Sequence, residues 1–341
     1  MKRIVLLLLE HSPHSFALLF NTPNALSTSR GILGMTAATQ TTNLFLQKIM
    51  TLEFEENANT PRFMLPECPT NLLCQALFQG TIPAPLTERY KAFFAEFLAT
   101  TDILETDFIY VEDETTIPRN YEALFTWTYR FISMVCELLP MLPTTFFAIV
   151  KKFHALVKKS LGEEGESTRA NTLAFTFFGR VCVLSVFDNP EGFKVVHGFK
   201  KLSVEAQRNY QALRLVLHAI FDRRKFSSKH HVHLVPMNAC VDKFSAVVES
   251  QVLTILRSFN GNAQSPKESQ LIDTKAIASV HQVLSEQATN LAQSLQGYLR
   301  AVFMEAVIDL GNYERKIGYV ASFKTDELKA LRKKMAEQRM D

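Results

Sequence analysis

The stretch RNYQALRLVLHAIFDRRKFSSKHHVHLVPMNACV, Arg208 to Val241, decides how the chain is read. Its first half sets Tyr210, Leu213, Leu217 and Ile220 three and four residues apart, the repeat of one face of an α-helix. Ser203, just upstream, suits an N-cap because its hydroxyl can accept an orphan N–H of the first turn. Beyond Asp222 the apolar repeat stops. A basic, serine-containing loop through Lys229 leads to Pro236-Met237-Asn238, and a second helical repeat then runs through Val241, Phe244, Val248, Val252, Ile255 and Phe259.

The same periodicity extends outward on both sides. Tyr121 to Leu139 and Thr144 to Leu161 read as two apolar-striped helices hinged at Pro140–Pro143. The second carries Phe146, Val150, Phe153 and Val157 on one stripe and ends in Lys158, Lys159 and Gly162, a basic last turn and a glycine stop. Residues 163–167 are then a loop, and Thr168 to Val186 is apolar nearly all round, as a buried helix would be. Nearer the start, residues 11–43 are rich in Ser, Thr and Asn and are expected to be loop with short helix, and Leu44 to Met50 to be helical. Pro61, Pro66, Pro69, Pro83 and Pro85 make 58–87 a connector, because each proline removes a donor and constrains its predecessor. Tyr90 to Thr100 reads as a brief helix and the acidic run 105–114 as a solvated loop. A long helical stretch is expected from Thr274 to about Leu310, and a charged helix from Thr325 to Met340. The expected organisation is one all-α domain over 1–310 followed by a charged C-terminal helix or linker over 311–341.

Composition agrees with an all-α chain. Hydrophobic residues make up 47% of the 341, with 27 Phe against 12 Gly and 13 Pro, enough apolar surface for a large core and too few turn residues for an all-β fold. Charge is nearly balanced, 37 basic against 34 acidic side chains, so no whole-chain field draws in nucleic acid or acidic substrates. The five cysteines are widely spaced in apolar sequence, without a CxxC pair, which is reduced, cytoplasmic usage. The opening apolar run, Ile4 to Leu9, is shorter than the ~7–15 residues of a secretory core. No run is expected to supply the ~20 apolar residues that span a bilayer.

Several segments, in order, carry a resemblance. LFNTPNALSTSR, Leu19 to Arg30, is similar to the motif L-F-R-G-N-S-L-A-S-K, and LQKIM, Leu46 to Met50, to L-Q-K-L-L. Arg130 to Val157 follows a helix pair with a proline hinge, and FTFFGRVCVLSVF, Phe175 to Phe187, sits where F-L-R-F-I-N-P-A-I belongs. Arg208 to Asp222 and KHHVHLVPMN, Lys229 to Asn238, match the remaining two motifs. Together these segments resemble Ras GTPase-activating domains of the neurofibromin type. The resemblance implies a multi-helix domain with a shallow groove that binds a Ras-like small GTPase. It implies partner contacts at Arg208, Arg214, His218, Asp222, Lys229 and Asn238. The chain would then be a GTPase activator rather than an enzyme in itself, with no cofactor or metal of its own, since GTP and Mg²⁺ would belong to the partner. It would be cytoplasmic, and peripheral at a membrane only through that partner.

The departures from the family pattern fall on its chemistry. An arginine supplied in trans is worth ~10³–10⁵ in rate for this reaction class, because a guanidinium brings fixed charge to the transferring phosphoryl group. The matching position here is Asn21, and Arg30, further along, is the alternative finger. The arginine that braces the finger in the family falls on Gly179, with Arg180 one residue late; one helical position turns a side chain by about 100°, so Arg180 points elsewhere unless a bulge restores it. The groove lysine falls on Leu215, the glutamine on His218 and the final asparagine on Asp222. Two outcomes stand open: an activator with an atypical finger, or a scaffold that binds the GTPase without accelerating hydrolysis.

Plainer readings stand beside these. Asn21 suits an ordinary turn, Arg180 can snorkel from an apolar helix, and Arg208 and Arg214 can belong to a solvated face. His230, His231 and His233 with Cys240 lack the paired spacing of a zinc site. Cys136 and Cys182 lie in apolar sequence, where burial disfavours a reactive thiolate. The rival from another class is an unrelated helical adaptor whose stripes repeat at the helical period; Lys229, Pro236 and Asn238 argue against it, since periodicity does not produce them.

Overall fold

The computed structural model describes residues 8, 13–21, 25–37, 42–56, 68–111, 113–162, 168–260, 274–295, 299–300 and 303–304. Among the described residues there is no β-strand, only an isolated bridge between Ser227 and His230. The chain is all-α. It divides into two compact units, Met1–Thr39 with Ile272–Asp341, and Gln40–Leu271.

The first unit contains α1 (Pro13–Leu18), α2 (Ala25–Ala37), α11 (Thr274–Glu286) and α12 (Ala288–Gln293). The sequence predicts mainly loop over 11–43, yet α2 is thirteen residues long. Its Ser29 hydroxyl bonds back to the Ala25 carbonyl at 2.8 Å, and the helix is held by packing rather than propensity. α2 and α11 cross closely at Gly31, where an added Cβ would lie 2.2 Å from the Ala276 carbonyl oxygen, and the Ser27 and Ser279 hydroxyls meet at 3.0 Å.

The second unit contains α3 (Thr42–Glu56), α4 (Pro69–Thr81), α5 (Ala84–Leu98), α6 (Ile117–Leu138), α7 (Thr144–Leu161), α8 (Thr168–Asp188), α9 (Val204–Asp222) and α10 (Asn238–Ser258). Pro61 and Pro66 of the expected connector lie outside the described residues, but Pro69 and Pro85 act as helix starters: they occupy first-turn positions of α4 and α5, where a missing N–H costs nothing. The hinge at Pro140–Pro143 bends the chain by 99° between α6 and α7. Gly162 ends α7 in the left-handed conformation, φ 62°. The core is aromatic. Phe153 stacks on Phe177 at 4.2 Å, and Phe187 is ringed by Phe94, Phe131 and Tyr210.

α8 corrects one expectation. At 21 residues it is long and apolar enough by composition to cross a membrane, and most of it is buried inside the protein. The loop expected at 163–167 lies outside the described residues, as do the helix expected over 325–340 and most of the stretch beyond Gln293.

Candidate functional site

α9 is the platform. Ser203 caps it as expected, its hydroxyl accepting the Ala206 N–H at 3.1 Å. Arg223 ends it in the left-handed region, φ 51°. Leu213, Val216, Leu217, Ile220 and Phe221 are fully buried, which fixes the helix and leaves its opposite face open. Along that face Arg208, Gln211, Leu215, His218 and Asp222 recur at the three- and four-residue spacing of one helical stripe.

Over the first half of the stripe lies a groove of about 530 Å³. Val204, Arg208, Gln211 and Leu215 contribute to it from α9, Glu105 to Asp107 and Tyr110 from one segment, and His231 and His233 from another. Its first wall is preformed. The Asn209 side chain accepts from the Leu104 N–H and donates to the Asp102 carbonyl, both at 2.8 Å, tying the 102–104 segment to α9. The Glu105 carboxylate accepts the N–H groups of Thr106 and Asp107, and Asn120 donates to the Glu105 carbonyl at 2.7 Å. Asp107 closes the next turn, its carboxylate accepting the Ile109 N–H at 3.0 Å and its carbonyl the Tyr110 N–H at 2.9 Å. The two walls are linked by His233 Nδ1, 3.4 Å from the Asp107 carboxylate, and the Tyr121 hydroxyl of α6 donates to the His233 carbonyl.

This turn is the exposed loop expected over 105–114, and its tip is apolar. Phe108, Ile109 and Tyr110 are 56%, 71% and 56% exposed, and the Arg208 guanidinium lies 5.1 Å from the centre of the Tyr110 ring. Three consecutive exposed apolar side chains on a hydrogen-bonded turn form more than a solvated loop.

The other candidates part from the groove. Arg214 Nε and His218 Nε2 converge on Asp188 Oδ1, at 2.6 and 2.9 Å. Burial pushes the Asp188 carboxyl up, but the hydrogen bond and charge of His218 and the charge of Arg214 outweigh it and hold it below its ordinary value. Asp222 pairs with Arg180, Nε to Oδ1 at 2.9 Å. Asn238 accepts the Phe226 N–H at 2.9 Å and donates to the Phe226 carbonyl at 3.1 Å, which ties down the loop after α9. Lys229 is exposed on that loop and makes no ion pair among the described residues.

Arg180 opens a π-helical turn, Arg180–Leu184, within α8. The wide turn takes up one extra residue of α8 beyond Arg180. Arg180 reaches Asp222 with Nε, while its Nη1 is buried without a hydrogen-bond partner. Gly179 marks the close approach of α8 to α9, since an added Cβ would lie 2.4 Å from Phe221 Cδ1. Asn21 and Arg30 belong to the other unit. Asn21 is exposed at the end of a turn, its N–H bonded to the Leu18 carbonyl at 3.2 Å, whereas Arg30 lies within α2 with Nε buried and unbonded.

Among the described residues no group of His, Cys, Asp and Glu is arranged to hold a metal ion. The His231 and His233 rings meet edge to face at 5.8 Å. Burial pushes the Cys240 thiol up to about 12 and raises Cys136 and Cys182 as well. No protein-family model matches the chain, and no curated protein matches it.

Proposed function

We propose that this chain binds a Ras-like small GTPase through the groove on α9, as a divergent Ras GTPase-activating-type domain without a working arginine finger. The observation that carries the reading is the groove itself. It is preformed, bordered by the exposed Phe108–Tyr110 tip, and lies on the helix whose residues resemble the family's partner-facing stretch, with Arg208 and Leu215 in its lining. A rigid turn carrying aromatic side chains spends little entropy on binding, which suits a protein partner.

Three features speak for binding without strong activation. Asn21 brings no charge, Arg30 is committed to a helix, and Gly179 has no room for a side chain. Binding the GTPase and stabilising its transition state are separable. Any association with membranes would come through the partner, and the chain itself would act in the cytoplasm.

The test is a binding panel of purified small GTPases, each in GDP, GTP-analogue and transition-state-analogue forms. The reading expects retention of at least one GTPase in a nucleotide-dependent manner. Absence of binding across the panel in all three forms would refute it.

A further inference from the structure

We propose that the loop between α9 and α10 is a modification site, with Ser227 the phosphate acceptor for a serine/threonine kinase that selects basic substrates, and that the phosphate weakens partner binding at the adjacent groove. The second half rests on the GTPase reading. The first does not.

Kinases choose substrates largely by charge pattern. In Arg224-Lys225-Phe226-Ser227 two cations stand three and two positions before a hydroxyl. The helix accounts for only one member of the basic run. Arg223 takes the left-handed conformation that ends α9 and pairs with Glu249 at 2.7 Å. Arg224 is exposed and makes no ion pair among the described residues. Lys225 pairs with Asp242 at 2.8 Å, but both side chains are more than half exposed, so the pair is weak and easily exchanged for an acidic kinase cleft.

The hydroxyl is accessible. Ser227 and Ser228 are exposed, and residues 224–226 are neither helix nor strand. Ser227 and His230 close a tight turn by exchanging N–H···O=C bonds at 3.2 and 3.1 Å. The restraints on extension into a kinase cleft are this pair of bonds, the Lys229 N–H donated to Ser227 Oγ at 3.4 Å, and the Asn238 side chain bonded to both backbone groups of Phe226. Opening them is a local event that leaves the core intact.

In the reaction Ser227 Oγ attacks the γ-phosphorus of magnesium-bound ATP. The new O–P bond forms as the bond from that phosphorus to the bridging β–γ oxygen breaks. ADP leaves, and the hydroxyl proton passes to the kinase's catalytic carboxylate. The product carries a charge of about −1.5 to −2 beside Arg224, Lys225 and Lys229. Charge-assisted bonds from those cations to the phosphate oxygens would occupy Lys229, a proposed partner contact.

The experiment incubates the full chain with magnesium-ATP and the purified catalytic subunit of cAMP-dependent protein kinase, and locates phosphate by tandem mass spectrometry. Phosphate on Ser227 is expected, abolished by Ser227→Ala, slowed on the order of tenfold by Arg224→Ala through loss of one charge-assisted contact, and accelerated by Asn238→Ala. No incorporation into the native chain, or phosphate only at sites that persist in Ser227→Ala, would overturn the assignment. If the phosphorylated chain binds a GTPase as tightly as the native chain, the regulatory half fails. If the native chain binds none, the GTPase reading and the regulatory half fall together while the mapped phosphate stands.

Discussion

Arg180 and Asp222 form a largely buried ion pair between α8 and α9, Nε to Oδ1 at 2.9 Å, with side chains only 16% and 13% exposed. The π-helical turn that begins at Arg180 and the glycine before it together set how closely the two helices approach. The pair therefore lies where the groove-bearing helix is docked onto the core.

Asp222→Ala should destabilise the protein by ~3 kcal/mol, because it leaves a poorly solvated guanidinium without its counter-charge. Replacing both partners by apolar residues, Arg180→Met with Asp222→Leu, should cost much less. Urea unfolding of the three variants checks this. Equal losses for the single and double changes would show that packing, not charge, dominates at this contact.

Gly179→Ala should cost ~1–3 kcal/mol through overpacking against Phe221, whose Cδ1 would lie 2.4 Å from the new Cβ. A melting temperature unchanged from the native value would show that Phe221 yields freely. The same clash means that Gly179→Arg cannot test catalysis, because it would first separate α8 from α9.

Lys229→Glu should weaken GTPase binding without lowering stability, since exposed, unpaired positions usually change it by less than ~0.5 kcal/mol. Salt should weaken native binding as well, because exposed charges are screened over ~8–10 Å at moderate ionic strength. Calorimetric titration at two salt concentrations reads both effects. Equal affinity for the variant and the native chain would move the contact surface away from this loop.

Stimulation of GTP hydrolysis by the native chain should fall far below the ~10³–10⁵ that an inserted arginine supplies. Asn21→Arg should raise it if the missing charge is the deficit. Strong native stimulation that vanishes in Arg30→Ala and survives in Asn21→Ala would instead identify Arg30 as the finger.

Asp188 predicts an acid-side effect. Its carboxyl titrates below the ordinary value, so its contribution to stability is complete above the unfolded carboxylate range, about 4, and is lost as pH falls through the lowered folded value. His218→Gln keeps a donor near Asp188 Oδ1 but removes the charge, and should shift the carboxyl titration upward. Carbon-13 NMR of the Asp188 side chain reads this directly, and an unmoved titration would assign the depression to Arg214 alone.

Local chemistry made much of the second unit legible. Thr144–Leu161 has the bounds its stripe, basic last turn and glycine stop imply, the Ser203 cap forms as read, and the paired prolines bend the chain where they stand. These features depend on neighbours within a turn or two, which periodicity and capping report. The site was less legible. Lys229 and Arg208 lie on exposed surface; Asn238 bonds the Phe226 backbone, and Arg214 and His218 share Asp188, a partner 26 and 30 residues away that no local pattern marks. The sequence alone determined that the chain is helical and where its apolar faces run, because helix formation and burial follow from residues three and four apart. Only the tertiary structure decided that α2 forms against α11, that α8 widens at Arg180, and that Phe108–Tyr110 stands out beside a groove, because each depends on contacts between segments that the chain brings together only on folding.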